Sequence, residues 1–151
     1  MRKITKEQAL HRLAAYCSRA ERCMFDLRKK MDGWELPLSE QNEIIDRLKK
    51  ENFLNEERFC RAFVKDKLRL NAWGARKIKY ELQKKQIKAS LIESALQNID
   101  NKENKERLKL LLEQKKRTIR GKDEYDVQQK LIRFALGRGF SLEDILQIVK
   151  N

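Results

Sequence analysis

The sequence predicts an all-α protein: three tandem three-helix repeats arranged as an elongated, solenoid-like chain. Three observations carry this. Apolar pairs recur at a spacing of roughly fifty residues, the mark of stacked units: Ala9/Leu13, then Phe59/Phe63, then Leu108/Leu112, and likewise Cys23/Leu27, Ile78/Leu82 and Val127/Leu131. Of the 151 residues, 39% are charged and 40% hydrophobic, too apolar for disorder. One Pro and five Gly leave long stretches free of helix breakers. Stacked units expose a long surface rather than enclosing a pocket, which suits a polymer or filament better than a small substrate.

The first unit covers residues 4–52. Its first helix is expected over Thr5–Cys17 with Thr5 as N-cap, and its second over Ala20–Met31, stopped by Gly33. Trp34 to Pro37 forms the turn, and Ser39 caps a third helix holding Ile44, Ile45 and Leu48. The second unit covers residues 53–100. Asn55 caps a helix that turns Phe59, Phe63 and Leu70 inward, and Asn71 to Gly74 breaks it. A helix over Ala75–Gln86 follows, with Ala75, Ile78 and Leu82 inward. Ser90 opens the last helix of the unit, carrying Leu91, Ile92, Ala95, Leu96 and Ile99. The third unit covers residues 101–151. Asp100 or Asn101 caps a longer helix with Leu108, Leu111, Leu112 and Ile119, ended by Gly121. Asp123 caps the next, with Val127, Leu131 and Phe134. Gly137 to Phe140 turns the chain where glycine makes positive φ inexpensive. Ser141 with Asp144 opens the last helix, and Ile145, Ile148 and Val149 close the core.

Charge is the main functional signal. The chain carries 36 Lys+Arg against 23 Asp+Glu, a formal +13, which favours a partner of negative charge. Residues 58–88 hold eleven cations against Asp66 and Glu81 alone. On a helical wheel Arg58, Arg61, Lys65 and Arg69 cluster opposite the apolar face, while Lys77, Tyr80 and Lys84 point out from the next helix. Trp73 lies in the turn between, and reads best as a plug at the helix junction. Phosphates require cations and unpaired bases stack on aromatic rings, so these eight residues are the candidate nucleic-acid or partner-binding face. Lys105–Lys122 is a second basic run whose charges wrap around the helix.

Catalysis requires a constellation, and none is legible. The single histidine, His11, reads as a surface or boundary residue, and no His/Cys/Asp spacing matches a metal site. Gly137-Arg-Gly-Phe140 lacks the Lys-Ser/Thr of a phosphate-cradling loop. No enzyme, cofactor or metal is expected. Cys17, Cys23 and Cys60 read as small buried hydrophobes of a reducing cytoplasm. Neither a signal peptide nor a membrane span is expected, because the longest run of large aliphatics is Leu110–Leu112.

Three stretches resemble the RecX recombination regulators. Ser18-Arg-Ala-Glu-Arg-Cys-Met-Phe-Asp-Leu27 is similar to the opening R-E-x-S-x-x-E-L of that family, with Ala20, Cys23 and Asp26 at its Arg, Ser and Glu positions. Phe53-Leu-Asn-Glu-Glu-Arg-Phe59, Trp73-Gly74 and Glu81-Leu82 resemble its most recognisable block, with Gln86-Ile87 in place of Gly-Ile. Gly139-Phe140-Ser141 with Ile145 is similar to its final stretch. The resemblance implies a curved chain of three-helix units lying in the groove of the RecA–DNA filament and reducing filament growth, ATP hydrolysis, strand exchange and co-protease activity. It supplies no catalytic residues. A monomer that meets the RecA filament and DNA without sequence preference is therefore expected. The alternative is a stand-alone nonspecific DNA-binding protein built of three-helix units. The helix Ala75–Gln86 offers mainly Lys, Arg and Tyr, which suits backbone contact rather than base reading under either view.

Overall fold

The computed structural model describes residues 4–149; residues 150–151, assigned above to the third unit, lie outside the described residues. Among these there are nine helices and no strand. They are α1 Lys6–Arg19, α2 Met24–Gly33, α3 Leu38–Lys50, α4 Glu56–Arg69, α5 Ala75–Lys84, α6 Ala89–Gln97, α7 Asn101–Lys116, α8 Glu124–Gly137 and α9 Leu142–Val149. The principal packing is within each group of three, α1 on α3, α4 on α6, and α8 on α7 and α9. Three separate apolar clusters result. The molecule exposes 10007 Å², about a quarter more than the roughly 8,100 Å² of a compact monomer of this mass. Open stacking of small cores explains the excess.

Local chemistry sets most of the helix starts. Thr5 accepts from Gln8 N–H while the Gln8 side chain accepts from Thr5 N–H, a complete capping box. Asn55, Asp100 and Asp123 each accept from the first turns of α4, α7 and α8. Ser141 Oγ accepts from Asp144 N–H at 3.2 Å. Two expected caps do not act. Ser39 lies inside α3, which starts at Leu38 directly after Pro37, whose ring presets φ at −67°. Ser90 likewise lies inside α6, which begins at Ala89.

Other boundaries shift for tertiary reasons. Instead of starting at Ala20, the second helix starts at Met24, because Ala20 and Cys23 are extended. Cys23 is drawn into the second core, and Glu56 accepts from Met24 N–H at 3.0 Å, so a side chain of the next unit caps α2. α5 stops at Lys84, because Gln86 takes φ 59°. α7 stops at Lys116 rather than Gly121, although Ile119 still packs on the third core. Leu70 is the clearest correction: it is 80% exposed, just beyond the end of α4, and Cys60, Val64 and Leu68 fill the core beside Phe59. The repeat register moves with it. Ala9, Leu13 and Cys17 correspond to Cys60, Val64 and Leu68, and Leu27 and Met31 to Ile78 and Leu82 and then Leu131 and Ala135.

The same turn closes the second helix of every unit. Glu35, Gln86 and Gly139 have positive φ, and the next residue, Leu36, Ile87 or Phe140, is buried with its N–H bonded back to Met31, Leu82 or Ala135. Within the expected Gly137–Phe140 turn only Gly139 has positive φ; Gly137 is the last residue of α8.

The units interlock. Cys23 and Phe25 pack in the second core, and Phe53 and Leu54 in the first. Lys85 Nζ donates to both Asp26 oxygens at 3.0 and 2.9 Å across this joint. The second and third units meet through backbone: Gly74 N–H donates to Arg138 O at 2.7 Å and Arg76 N–H to Gly139 O at 3.1 Å. The amino end of α5 therefore abuts the carboxyl end of α8, and the opposed partial charges of the two helix ends attract. The approach requires glycine on both sides. A Cβ on Gly74 would lie 2.4 Å from Gly139 O, and one on Gly139 2.4 Å from Lys77 N.

Candidate binding interface

The eight candidate residues do not form one face. Arg58, expected opposite the core, turns toward the first unit. Its Nε donates to both Glu21 oxygens at 3.2 and 2.9 Å, and its two terminal nitrogens to the Asn52 side chain and carbonyl. Both members of the pair are only 29% exposed. Arg58 therefore braces the joint between the first two units.

Arg61, Lys65 and Arg69 do share one flank of α4, each exposed and one turn from the next. Arg61 pairs at 3.1 Å with Glu57, an acid one turn upstream that lies just before the basic stretch. Among the described residues no carboxylate lies in ion-pair range of Lys65 or Arg69. All three line a groove against the α6–α7 junction.

Trp73 is half-buried, edge-on to Phe63 with centroids 6.3 Å apart, and plugs the α4–α5 junction as its position suggests. Lys67 Nζ lies 4.9 Å and Lys77 Nζ 4.7 Å from its ring. Trp73 thus holds two cations at the junction by attraction to its π face. Lys67 escapes a reading of the sequence because it meets Trp73 only once the chain has turned.

Tyr80 is 59% exposed on α5 and attracts Lys84 at 5.4 Å; Lys84 also pairs with Glu81 at 3.6 Å. Tyr80 lines a shallow depression with Arg76, Lys77 and Leu136, the last contributed by α8 and 40% exposed. Leu136 belongs to this surface, yet nothing local marks it, since it is brought in by the Gly74–Gly139 approach. Arg138 donates to Asn71 O at 2.8 Å.

The second basic run is partly committed. Lys115 and Arg138 sit 4.8 and 5.0 Å from the Phe134 ring, and Lys130 Nζ donates to Arg120 O at 2.7 Å. His11 is exposed and all three cysteines are buried. Among the described residues no group of three His, Cys, Asp or Glu is placed to hold a metal ion, and no helix is long and apolar enough to cross a membrane.

Fold and surface together define a class: a chain of tandem three-helix units with a basic middle segment presented on its outer helices. Comparison with known proteins places it more finely. Residues 55–96 match the RecX second three-helix domain and residues 103–149 the RecX third three-helix domain. The regulatory protein RecX of Haemophilus ducreyi is 33% identical over 135 residues, covering 89% of this chain and 86% of that one. That of Clostridium botulinum strain Eklund 17B is 37% identical over 109 residues, covering 71% and 50%. The chain thus spans about half the length of such clostridial relatives. Two crystal structures share the fold: one of regulatory protein RecX (TM-score 0.87, 23% identity, 97% of this chain and 73% of that one) and one of RecX from Lactobacillus salivarius (TM-score 0.79, 22% identity, 96% and 94%). The chain belongs to the RecX family of regulatory proteins.

Proposed function

We propose that this protein binds the RecA recombinase filament and mainly inhibits its activity in recombination and DNA repair. One observation carries the reading beyond family membership: the middle unit of an extended chain displays cations without ion-pair partners among the described residues, Lys65 and Arg69 on α4 and Lys79 on α5. An extended basic surface is complementary to a long partner of opposite charge, and a nucleoprotein filament offers both phosphates and carboxylates. The binding face comprises Arg61, Lys65, Arg69, Lys77, Tyr80 and Lys84, with Trp73 fixing Lys77 in place. Arg58 supports it from the joint. The protein acts as a monomer in the cytoplasm, by binding rather than by catalysis.

The test is a RecA ATPase assay on single-stranded DNA with this protein titrated in. Inhibition that saturates below one molecule per RecA protomer is expected for a ligand spanning several protomers. Loss of RecA activity that merely tracks coating of free DNA, and that excess DNA reverses fully, would instead indicate a stand-alone DNA-binding protein.

A further inference from the structure

A groove of about 330 Å³ runs between the outer flank of α4 and the α6–α7 junction. Val64, Leu68 and Ala95 form its floor, each buried and apolar. Lys65 and Arg69 stand on one rim, one turn apart. On the other rim Arg107 is tied to Glu103, and Asp100 accepts from the N–H groups of Lys102 and Glu103. The groove thus pairs an apolar slot with two unneutralised cations on one side and occupied carboxylates on the other.

We propose that this groove receives an acidic protein segment of the filament partner, one bearing Asp or Glu beside a large apolar side chain. The inference rests on the filament reading above and names the kind of interaction made there. A phosphodiester strand fits poorly. It carries a charge at every nucleotide, so it would set phosphates against Asp100 and Glu103, and it has no aliphatic knob for the slot. A peptide satisfies both features at once: a carboxylate can take the forked guanidinium of Arg69, and its apolar neighbour can bury on Leu68, the usual make-up of an interface anchor. The Tyr80 depression has the complementary character, an exposed ring beside Arg76 and Lys77, with its one carboxylate, Glu81, paired to Lys84, and it suits a stacked base and its phosphates. The two halves of the basic stretch therefore divide the work, α4 toward protein and α5 toward nucleic acid.

The test places a photo-crosslinker in the groove of the full chain without removing its cations, as Asn98→benzoylphenylalanine, on RecA–poly(dT) filaments, with ATPase inhibition measured in parallel. Irradiation should join position 98 to a RecA peptide rich in Asp and Glu with an apolar neighbour. Combining Lys65→Glu with Arg69→Glu should reduce that product at least fivefold while circular dichroism stays unchanged. A product on DNA, a product on a RecA segment without acids, or a yield indifferent to the double reversal overturns the proposal. So does absence of any product from a variant that still inhibits. A parent chain that neither binds nor inhibits RecA overturns both this proposal and the filament reading, and the ATPase arm separates that result from failure of the groove alone.

Discussion

Gln86 holds φ 59° in the turn that Gly139 makes in the third unit and Glu35 in the first. A side chain in this left-handed region is strained by about 1–2 kcal/mol. Gln86→Gly is therefore expected to raise stability by about 1 kcal/mol, part of the gain being offset by the freedom glycine regains on unfolding; the midpoint of urea unfolding would show it. Gly139→Ala has the opposite sign and a larger size. Its φ of 95° and the 2.4 Å approach of Lys77 N leave no room, and a loss of about 2 kcal/mol or more is expected in the same measurement. Gln86 is visible in the sequence as a departure from Gly-Ile, but its strain is not, because only the fold shows that the turn keeps its shape when the glycine is gone. The cysteines illustrate the reverse. Their burial is legible from apolar spacing, and burial pushes the Cys23 thiol up to about 12 and Cys60 up to about 11. A folded-state value above the ordinary 9.0 means the fold favours the protonated thiol. That contribution is fully present below pH 9 and is lost progressively as pH rises through about 12. Stability measured across about pH 8–11 should fall on the alkaline side, and less steeply in Cys23→Ala.

At the scale of helices, α4 and α5 present different chemistry from what a wheel suggests. The wheel correctly puts Arg61, Lys65 and Arg69 together, since α4 is regular from Glu56 to Arg69. It fails for Arg58 because the Glu21 that captures it lies in a loop of another unit, 37 positions away. It fails for Leu70 because the helix ends one residue earlier. Reversing Arg61, Lys65 and Lys84 to Glu should weaken RecA inhibition on the order of a hundredfold, at about 1 kcal/mol for each charge pairing removed. Helical circular dichroism should be unchanged, since all three side chains are exposed. Leu82→Asp is the contrasting case: Leu82 is fully buried, and an uncompensated carboxylate there should unfold the unit and abolish inhibition for a different reason. An unchanged inhibition constant in the triple variant would move the working face to the Lys115–Lys122 segment.

For the molecule as a whole, small cores in series make an extended particle. A compact chain of this length has a radius of gyration near ~15 Å, and small-angle scattering should return a clearly larger value, in keeping with the excess surface. The tandem organisation is legible because each unit must bury its own apolar stripe, which writes a period into the sequence. How the units sit on one another is not legible. That information lies in Cys23 and Phe25 crossing into the second core, Leu54 crossing back into the first, and Gly74 meeting Gly139. The last of these junctions has a broader consequence. The joint between the second and third units is held chiefly by peptide groups meeting peptide groups, with the Arg138 side chain adding one bond to Asn71 O, so its geometry depends on few side chains. Provided the two glycines persist, the outer surface is free to diversify toward new partners while the overall trajectory of the chain is inherited unchanged.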